Sequence, residues 1–471
     1  MNRKIAIIGG GITGLSAAYS LKKKIEEKGL PIDIALFEGS NRLGGKIETM
    51  HHGDFVIERG ADSFLARKRP AVDLVKSLGL EEELVRNGTG QSYVLSGGKL
   101  HKIPKGSYRG IPTRLGPYFN SSLFSAKGKL RGSMDLVLPK SKHEGDQSLG
   151  AFFRHRFGDE FVERLIEPLL AGIYSGNIDE MSLMATFPQF HELEQRHGSL
   201  VKGLQATMPE INTKKQKNPK AKEGAFLSLR NGLGTMITAL EKELGAIIFK
   251  DESIDHIEKK ENRFNLLLGS GEVFKADRVV IATEHEAVPK MLSQYDFLKV
   301  LNEIPSTSTA NVALAFDKTA IRKDIDGTGF VVARKSKTRI TACTWTHKKW
   351  PTTTPEGKAL VRCYVGKPDD QEVVNLSDEE LTEIVLKDLN KTMKIKKDPE
   401  FAVITRWREA RPQYTVGHVE RMNKIQAGLE ANLPGVFLAG SSYAGVGIPD
   451  CIEQGEKAAS NALIHLENEL Y

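Results

Sequence analysis

Both ends of the chain place hydrophobic residues in the pattern of a strand, a glycine turn and a helix. Near the start, Ile5 to Ile8 form a short apolar run, and apolar residues between Leu15 and Leu21 recur at helical spacing. Near the end, Val436 to Ala439 form another apolar run, and a helical pattern covers Ile452 to Leu463. Short apolar runs rich in β-branched residues are typical of parallel strands that are buried on both faces. The pattern therefore predicts an α/β fold of the Rossmann-like type, with a parallel sheet to which both ends contribute.

Two other patterns occupy the middle of the chain. Residues 99–225 contain short helical segments separated by prolines and glycines, which predict a helical insertion. Residues 303–424 contain alternating apolar runs, which predict a largely antiparallel sheet with one solvated face. The domains expected are a Rossmann-like domain of residues 1–88, 226–302 and 425–471, a helical domain of residues 99–225, and a β-rich mixed-sheet domain of residues 89–98 and 303–424. The helices expected in the insertion are Ser148–Phe157, Glu160–Leu170 and Met184–Glu194.

Length and composition are those of a multidomain globular protein. The chain has 471 residues, of which 40% are hydrophobic and 27% are charged, so two or three domains are expected. No apolar stretch reaches the roughly 18 residues that cross a bilayer, and the sequence enters a strand at once, so we expect neither a transmembrane anchor nor a signal peptide. Cys343, Cys363 and Cys451 are too widely spaced to form a metal-type pair. We expect a cytoplasmic protein without disulfides or a metal site.

The formal net charge of +7 is compatible with anionic ligands or an anionic surface. No helix-turn-helix, zinc or RNA-binding signature accompanies this charge, so a nucleic-acid partner is not expected. The densest basic stretch, Lys214 to Lys222, contains a proline and lacks apolar periodicity, which predicts a solvated loop.

A glycine motif follows the first strand. Gly9, Gly11 and Gly14 have G-x-G-x-x-G spacing. In this motif the glycines allow a tight turn, a close approach of the backbone to a pyrophosphate, and close packing of the helix on the strand. The next strand, Ile32 to Phe37, is followed by Glu38, where a carboxylate accepts hydrogen bonds from a ribose. Strand, turn, helix and acid together predict a dinucleotide site formed by Gly9, Gly10, Gly11, Ile12, Thr13, Gly14, Glu38 and Gly39.

The residues after Glu38 decide between NAD and FAD. Asn41 to Lys46 read NRLGGK, which resembles the R-x-G-G-R/K element of the flavin amine oxidase superfamily. The two glycines allow the chain to pass close to a bulky flavin, and the lysine adds positive charge; the alternative is a turn between two surface hairpins. A second glycine loop, from Gly440 to Gly447, precedes the last helical pattern and aims a helix N-terminus at a ligand. Together these elements predict FAD.

Further stretches resemble the protoporphyrinogen oxidase family, and most closely its soluble Gram-positive branch, whose members act on coproporphyrinogen III. The resemblance covers essentially the whole chain, and its last three stretches are specific rather than generic. The stretches are ERGADSF (Glu58 to Phe64), GIPTRL (Gly110 to Leu115), EPLLAGIYSG (Glu167 to Gly176), TACTWT (Thr341 to Thr346), PQYTVGH (Pro412 to His418) and GVGIPDCI (Gly445 to Ile452).

The resemblance implies a set of FAD contacts. The pyrophosphate is expected at the turn from Gly9 to Gly14, and the adenosine ribose at Glu38 and Gly39. Ile254 matches a position whose backbone holds the adenine. Trp407, Gly447, Ile448 and Pro449 are expected to border the isoalloxazine, and the other expected cofactor contacts are Arg42, Gly45, Lys46, Gly60, Ala61, Asp62, Ser63 and Gly440.

The resemblance also implies substrate contacts. Lys68 falls where the family places a cation, and Gly172, Ile173 and Tyr174 match its pocket-lining stretch. Plant and mitochondrial relatives tend to have arginine at the position of Lys68, so either Lys68 or its neighbours Arg67 and Arg69 are expected to contact a carboxylate. The alternative is that these three residues form an exposed helix start before Pro70.

The implied reaction is an FAD-dependent six-electron oxidation of coproporphyrinogen III to coproporphyrin III in heme biosynthesis, with O2 as the acceptor and H2O2 as a product. The cofactor carries the redox work and the protein orients the substrate, so the chemistry needs no obvious acid–base pair. No catalytic base is assigned, because His347, His418 and Asp450 are candidates by residue type alone. We expect His418 to be structural and Glu167 to form a surface or interdomain contact.

Three alternatives stay open. The substrate could be protoporphyrinogen IX, because propionate and vinyl groups differ only at the rim of the pocket. A flavin-dependent amine oxidase would share the whole cofactor frame, and Trp407 and Tyr443 could mimic its aromatic pair. A non-catalytic dinucleotide-binding protein would share the fold. Partners expected from the resemblance are the porphyrinogen, O2 and an enzyme of the heme pathway that accepts the product, with at most weak peripheral membrane contact.

Overall fold

The computed structural model describes residues 2–88, 90–143, 145–207 and 224–468. The basic stretch Lys214–Lys222, for which a solvated loop is predicted, lies outside these ranges.

A parallel sheet forms the centre of the Rossmann-like part. The first and second strands pair in parallel, with Ile5 opposite Ile34, and the strand near the chain end pairs through Val279 opposite Val436. Strand residues such as Ile5 and Val280 are fully buried, as continuous apolar runs require. The prediction of a parallel sheet to which both ends of the chain contribute is therefore confirmed. The strands in spatial order are Ile248–Lys250, Ile32–Glu38, Arg3–Ile8, Arg278–Ile281 and Val436–Leu438.

Helices cover one face of this sheet and an antiparallel sheet covers the other. The first helix, Ile12–Lys28, and the last, Ile448–Glu467, pack against each other so closely that a Cβ atom on Gly455 would lie 2.2 Å from the Thr13 carbonyl oxygen. This contact holds the two glycine loops side by side. Other elements on the two faces are helices Arg69–Ser77, Gly234–Leu244 and His418–Asn432 and strands Ile254–Lys260, Arg263–Leu268 and Val273–Ala276.

The β-rich part is a mixed sheet that is mostly antiparallel. Strand Gly329–Val332 pairs in parallel with Ser92–Ser96, and the other neighbours are antiparallel. Its spatial order is Phe401–Pro412, Ser306–Asp317, Lys358–Val365, Ile340–Trp345, Gly329–Val332, Ser92–Ser96 and Lys99–Lys102.

The prediction of one solvated face on this sheet is wrong for its central strands. Helix Asp378–Met393 covers one face, and Phe55 and Ile57 from the Rossmann-like part cover the other. Ala313 and Ala315 lie on the second face, where small side chains allow the hairpin Thr49–His52 and Phe55–Glu58 to approach closely. The alternation along the sequence could not reveal this cover, because it comes from a segment about 250 residues away.

The insertion is helical as predicted, but two of its expected helices are interrupted. The segment Glu160–Leu170 contains a wider π-helical stretch, Val162–Ile166, between Asp159–Phe161 and Glu167–Tyr174. The segment Met184–Glu194 breaks at Phe187, because Pro188 starts a new helix and cannot continue the previous one. The α-helices in the described part of the insertion also include Leu115–Phe119, Ala126–Ser133, Leu149–Phe157 and Leu200–Thr207, and the two pieces on either side of Phe187 are Leu183–Thr186 and Pro188–His197.

Candidate functional site

A cavity of about 320 Å³ lies where the parallel sheet, the last helix and the β-rich sheet meet. Of the residues predicted to contact the cofactor, those that line it are Gly9, Gly11, Ile12, Thr13, Glu38, Gly45, Lys46, Gly60, Ala61, Trp407, Gly440 and Ile448. We call the part formed by Gly9, Gly11, Glu38, Gly44 and Gly45 the glycine end. The part formed by Trp407, Ala410, Arg411 and Val446 is the Trp407 end.

Backbone geometry builds the glycine end. Gly9 has φ 105°, and a Cβ atom on Gly14 would lie 1.9 Å from the Gly9 carbonyl oxygen, so both positions require glycine. The first helix begins at Ile12, and its N-cap, Gly11, has no side chain to satisfy the first N–H groups. Those N–H groups and the helix dipole are therefore available to an anion in the cavity.

Glu38 is fixed beside this turn. Its carboxylate accepts hydrogen bonds from the Gly10 N–H (2.7 Å) and from the Ser40 N–H (2.9 Å). Gly10 and Gly14 do not line the cavity; they allow the close contacts of this turn with Glu38 and with the Gly9 carbonyl. Ile254 also lies outside the lining; it follows Glu252, whose N–H donates to the Glu38 carbonyl, and Gly39 packs on Ser253.

The NRLGGK element lies against the first glycine turn and does not join two surface hairpins. Gly44 and Gly45 have φ 97° and 56°, and a Cβ atom on Gly45 would lie 3.2 Å from the Gly11 Cα atom. Arg42 organises this loop by donating to the carbonyls of Leu43, Gly45 and Ile47 at 3.1, 2.7 and 3.2 Å. Arg42 therefore supports the wall of the cavity from behind.

Lys46 reaches into the cavity and is paired there. Its Nζ atom lies 2.9 Å from the Glu284 carboxylate, and both residues line the cavity. Ala282, Thr283 and Glu284 also line the cavity and were not predicted, although they directly follow a buried strand, where parallel sheets place ligand contacts.

Asp62 and Ser63 belong to a buried charge cluster and do not line the cavity. The Asp62 carboxylate lies 2.9 Å from Lys349 Nζ and 3.4 Å from Arg362 Nη1, and the Ser63 hydroxyl donates to it at 2.7 Å. Burial alone would raise the pKa of Asp62, but the two cations outweigh burial and hold that pKa well below its usual range. The cluster also supports the cavity wall, because Arg362 donates to the Gly60 carbonyl at 2.7 Å.

Side chains from distant segments form the Trp407 end. Trp407 donates from Nε1 to the Arg59 carbonyl at 3.0 Å, which holds its ring against Gly60. Ala410 and Arg411 come from the same strand, Val446 comes from the loop before the last helix, and Ile448 is the first residue of that helix. The sequence predicts a strand only over Ala402 to Arg406, whereas the strand runs from Phe401 to Pro412, so Ala410 and Arg411 were missed. Extending the apolar alternation would have placed Trp407 and Arg411 on one face.

Gly447 and Pro449 flank this wall without lining it. Gly447 is the N-cap of the last helix and Pro449 lies in its first turn. In the described part of the chain, Tyr443 is buried outside the cavity. Trp407 and Tyr443 therefore do not form the aromatic pair that would mimic an amine oxidase.

The three basic residues after Ala66 have different partners. Lys68 forms an ion pair with Asp450 in the first turn of the last helix, and Arg69 pairs with Asp73 at 2.5 Å. Arg67 contacts the Tyr108 hydroxyl at 3.3 Å. The alternative of an exposed helix start therefore describes Arg69, whereas Lys68 is half-buried and paired with a carboxylate.

The stretch from Gly172 to Tyr174 is split between two environments. Tyr174 is buried, and burial together with the charge of Asp450 raises its pKa to about 12. Ile173 is 43% exposed. Gly172 lines a second cavity of about 110 Å³ between the insertion and the β-rich sheet, together with Glu167, Ser175, Arg334 and Lys367.

Glu167 forms a contact between the insertion and the sheet. Its carboxylate accepts a hydrogen bond from Arg334 at 2.9 Å, and burial raises its pKa. Thr307 lies between the second cavity and the Trp407 end: its hydroxyl donates to the Ser175 carbonyl at 3.3 Å, and in the sheet it is paired with Arg411.

Both candidate histidines serve structural contacts. His418 stacks on Tyr414 with ring centroids 4.1 Å apart and makes a 3.0 Å hydrogen bond to the Tyr443 carbonyl; mainly because of burial, its pKa is lowered to about 4. His347 bonds the Leu360 carbonyl at 3.0 Å, and burial lowers its pKa as well. Neither lines the cavity.

Within the ranges that the structure covers, no cluster of histidine, cysteine or carboxylate side chains could hold a metal ion. The same ranges contain no helix with the length and apolar character needed to cross a bilayer.

Comparisons with known proteins agree with the motifs. Residues 12–463 match the family described as flavin containing amine oxidoreductase. Coproporphyrinogen III oxidase of Bacillus subtilis is 49% identical over 98% of both chains, and that of Staphylococcus aureus is 44% identical over 99% of this chain and 100% of its own. A crystal structure from Exiguobacterium sp., named as a candidate protoporphyrinogen oxidase, is 38% identical, with a TM-score of 0.87 over 99% of both chains.

Proposed function

Because this chain belongs to the flavin containing amine oxidoreductase family, as its motifs predicted, we propose that it is an FAD-dependent oxidase that converts coproporphyrinogen III to coproporphyrin III. The observation that carries the proposal is the near full-length identity of 49% with a protein named for that substrate. Protoporphyrinogen IX is the alternative substrate, because other relatives at 29% identity or less are named for it.

Features at both ends of the cavity support the binding of FAD. The uncapped helix start at Gly11 suits the pyrophosphate, and the Gly11–Gly45 approach leaves room that a side chain would fill. Glu38 lies beside the turn, where it can accept hydrogen bonds from the ribose. Trp407 and Val446 offer an apolar wall to an aromatic ring at the opposite end. We therefore propose the glycine end for the nucleotide and the Trp407 end for the isoalloxazine.

When bound, FAD would accept hydride equivalents from the methylene bridges of the porphyrinogen in three two-electron steps and pass them to O2. The role left to the chain is to orient the ring and to exclude water. No carboxylate or histidine lines the Trp407 end in the described residues. We therefore propose that pyrrole protons leave to solvent and that no side chain of this wall acts as a general base.

Substrate contacts are proposed on the side of the cavity away from the nucleotide. Tyr174 lies close enough to Asp450 for its charge to raise the Tyr174 pKa, and Asp450 pairs with Lys68, so Lys68 and Tyr174 share one neighbourhood. Gly172 and Ile173 extend this wall toward the second cavity. A propionate bound by Lys68 must compete with Asp450, which weakens any contact that Lys68 makes.

We further propose a cytoplasmic location, with product transfer to another heme-pathway enzyme and at most weak contact with membranes. The three cysteines are buried and unpaired, as expected in a reducing compartment. Cell fractionation in physiological salt tests this location, and recovery of most of the protein with membranes would contradict it.

The function is tested by turnover of the purified, FAD-loaded protein. We expect coproporphyrinogen III to give fluorescent coproporphyrin III with release of H2O2, and faster than protoporphyrinogen IX. Primary and secondary amines serve as the comparison, because an amine oxidase would share the cofactor site. Oxidation of amines without oxidation of either porphyrinogen would contradict the proposal, and a protein that binds no flavin would exclude an enzyme of this kind.

A further inference from the structure

One cation at the Trp407 end has no anionic partner. Arg411 lines the cavity beside Ala410, near the end of strand Phe401–Pro412. In the part of the chain that the structure describes, no carboxylate lies within ion-pair distance of its guanidinium, and no oxygen accepts a hydrogen bond from it. Among the described residues, the ionisable group that acts on its pKa is the buried phenol of Tyr364.

Other cations of the same region are neutralised. Arg362 contacts Asp62 and donates to the Gly60 carbonyl. Arg406, on the same strand as Arg411, pairs with Asp378 at 2.6 Å and donates to two carbonyls. Lys46 in the same cavity pairs with Glu284. Arg411 is therefore an exception among its neighbours.

Arg411 is a partly buried cation in the wall of the cavity. Burial lowers the pKa of Arg411, yet arginine stays protonated in proteins, so the charge persists in the cavity wall. Partial removal from water weakens the solvation of this charge, and an anion that reaches the guanidinium compensates the loss. Because its neighbours do not supply that anion, we expect a bound ligand to supply it.

Arg411 stands at the junction of the two cavities. In the sheet its Cα atom lies opposite that of Thr307, whose hydroxyl donates to the Ser175 carbonyl in the wall of the second cavity. The Gln413 side-chain amide donates to the carbonyls of Arg411 and Tyr174, both at 2.8 Å. These contacts place Arg411 between the proposed ring site and the proposed substrate wall, away from the glycine end where the pyrophosphate is expected.

We propose that Arg411 binds a carboxylate group of the substrate at this junction. The inference rests on the proposed function and adds to it a subsite for an organic carboxylate. The guanidinium fork suits a two-point contact with a carboxylate. Lys68, the cation that the sequence indicated, is already paired with Asp450, so Arg411 is the better placed anchor for a tetracarboxylate.

The test measures binding of the product, coproporphyrin III, to the FAD-loaded protein by fluorescence titration. We expect Arg411→Gln to raise the dissociation constant about 10- to 100-fold, which corresponds to the loss of a charged hydrogen-bonded contact. Arg411→Lys keeps the charge but loses the two-point contact, so a severalfold rise is expected. Arg408→Gln is the matched control, because Arg408 is exposed on the same strand and contacts only Asn375 at 3.4 Å.

Flavin content and the flavin absorption spectrum are recorded for every variant. Unchanged flavin with weaker porphyrin binding supports the inference. Equal porphyrin binding by wild type and Arg411→Gln overturns it. Loss of flavin or a shifted flavin spectrum with unchanged porphyrin affinity also overturns it, because Arg411 would then serve the cofactor. If Arg411→Gln does not fold, Arg411→Met, which preserves length without charge, takes its place.

The same titration separates this inference from the proposed function. Wild-type protein that binds coproporphyrin III and oxidises its porphyrinogen upholds the function whatever the variants show. Wild-type protein that binds no porphyrin overturns both. If wild type and Arg411→Gln both oxidise the porphyrinogen with the same Michaelis constant, the Arg411 subsite is overturned and the proposed function stands.

Discussion

The two ends of the cavity are built from different materials. The glycine end consists mainly of backbone atoms from two short loops, and the Glu38 carboxylate beside them is fixed by backbone N–H groups. The Trp407 end consists of side chains from the β-rich sheet and the C-terminal loop, and the buried Asp62 cluster lies behind it. We expect one added carbon atom to disrupt the glycine end, whereas removal of a charge should disrupt the Trp407 end.

This difference matches the ligands that each end is proposed to hold. A pyrophosphate is recognised by N–H groups and a helix dipole, which require close backbone approach. An aromatic ring and a variable substrate require apolar walls and individually placed cations. Binding of the cofactor and choice of substrate are therefore separable in this molecule, and each of the following changes tests that separation.

The largest effect is expected behind the Trp407 end. Asp62→Asn leaves Lys349 and Arg362 without their counter-charge in a buried cluster, so the free energy of unfolding should fall by about 3–5 kcal/mol in urea titrations. Asp73→Asn is the control, because Asp73 pairs with Arg69 in solvent and should change stability by less than about 0.5 kcal/mol. An equal loss of stability in both variants would show that the Asp62 cluster does not stabilise the fold.

Asp62→Asn should also change how the free energy of unfolding depends on pH in the acid range. The folded-state pKa of Asp62 lies below its unfolded value, so its contribution is present above the ordinary aspartate pKa and is lost as pH falls through the depressed value. Wild type should therefore lose more stability than Asp62→Asn as the pH is lowered below about 4. If the free energy of unfolding falls equally with pH in wild type and in Asp62→Asn, Asp62 is not ionised in the folded protein.

Adding one methyl group at the glycine end should disrupt cofactor binding. A Cβ atom on Gly14 would lie 1.9 Å from the Gly9 carbonyl oxygen, so Gly14→Ala must move backbone at the helix start. We expect a stability loss of about 1–3 kcal/mol and a clear fall in the flavin-to-protein ratio after gel filtration. Gly116→Ala, where a Cβ atom meets nothing within 4 Å, should leave both quantities unchanged, and full flavin retention by Gly14→Ala would contradict the proposed pyrophosphate site.

Glu38→Gln should produce a smaller effect that is confined to the cofactor. The amide keeps an oxygen for the Gly10 N–H but loses the charge that favours a ribose contact, so FAD affinity should fall about tenfold. Asp33→Asn on the same strand is the control, because Asp33 is exposed and bonds only Asn2 at 3.1 Å. An unchanged flavin ratio for both Glu38→Gln and Glu38→Ala would remove Glu38 from the cofactor site.

The smallest effect is expected at Lys68. Because Asp450 already neutralises this lysine, Lys68→Ala should raise the Michaelis constant for coproporphyrinogen III only severalfold, about 1 kcal/mol, and more than for protoporphyrinogen IX. Arg69→Ala, which removes a solvent-exposed cation one residue later, should change neither constant. A loss from Lys68→Ala that is equal for both substrates would assign Lys68 to the propionates that they share.

The two ends also differ in how far the sequence predicts them. The glycine end was predicted residue by residue, because G-x-G-x-x-G and the following acid are local and each glycine has a backbone reason. The resemblance placed Asp62 and Ser63 along the cofactor with Gly60 and Ala61. The ion-pair partners of Asp62, Lys349 and Arg362, come from a distant part of the sequence and could not be found by spacing. Arg411 escaped notice because the predicted strand ended too early.

The most direct test of the central claim is an anaerobic mixture of the FAD-loaded protein with coproporphyrinogen III, followed by absorbance of the flavin and fluorescence of the porphyrin. We predict that the yellow flavin absorbance bleaches without air, because each FAD takes up two of the six electrons of the oxidation. Admitting air should restore the absorbance, release H2O2 and let the fluorescence of coproporphyrin III develop over the remaining steps. Flavin that stays oxidised with the porphyrinogen, and bleaches with an amine instead, would contradict this prediction.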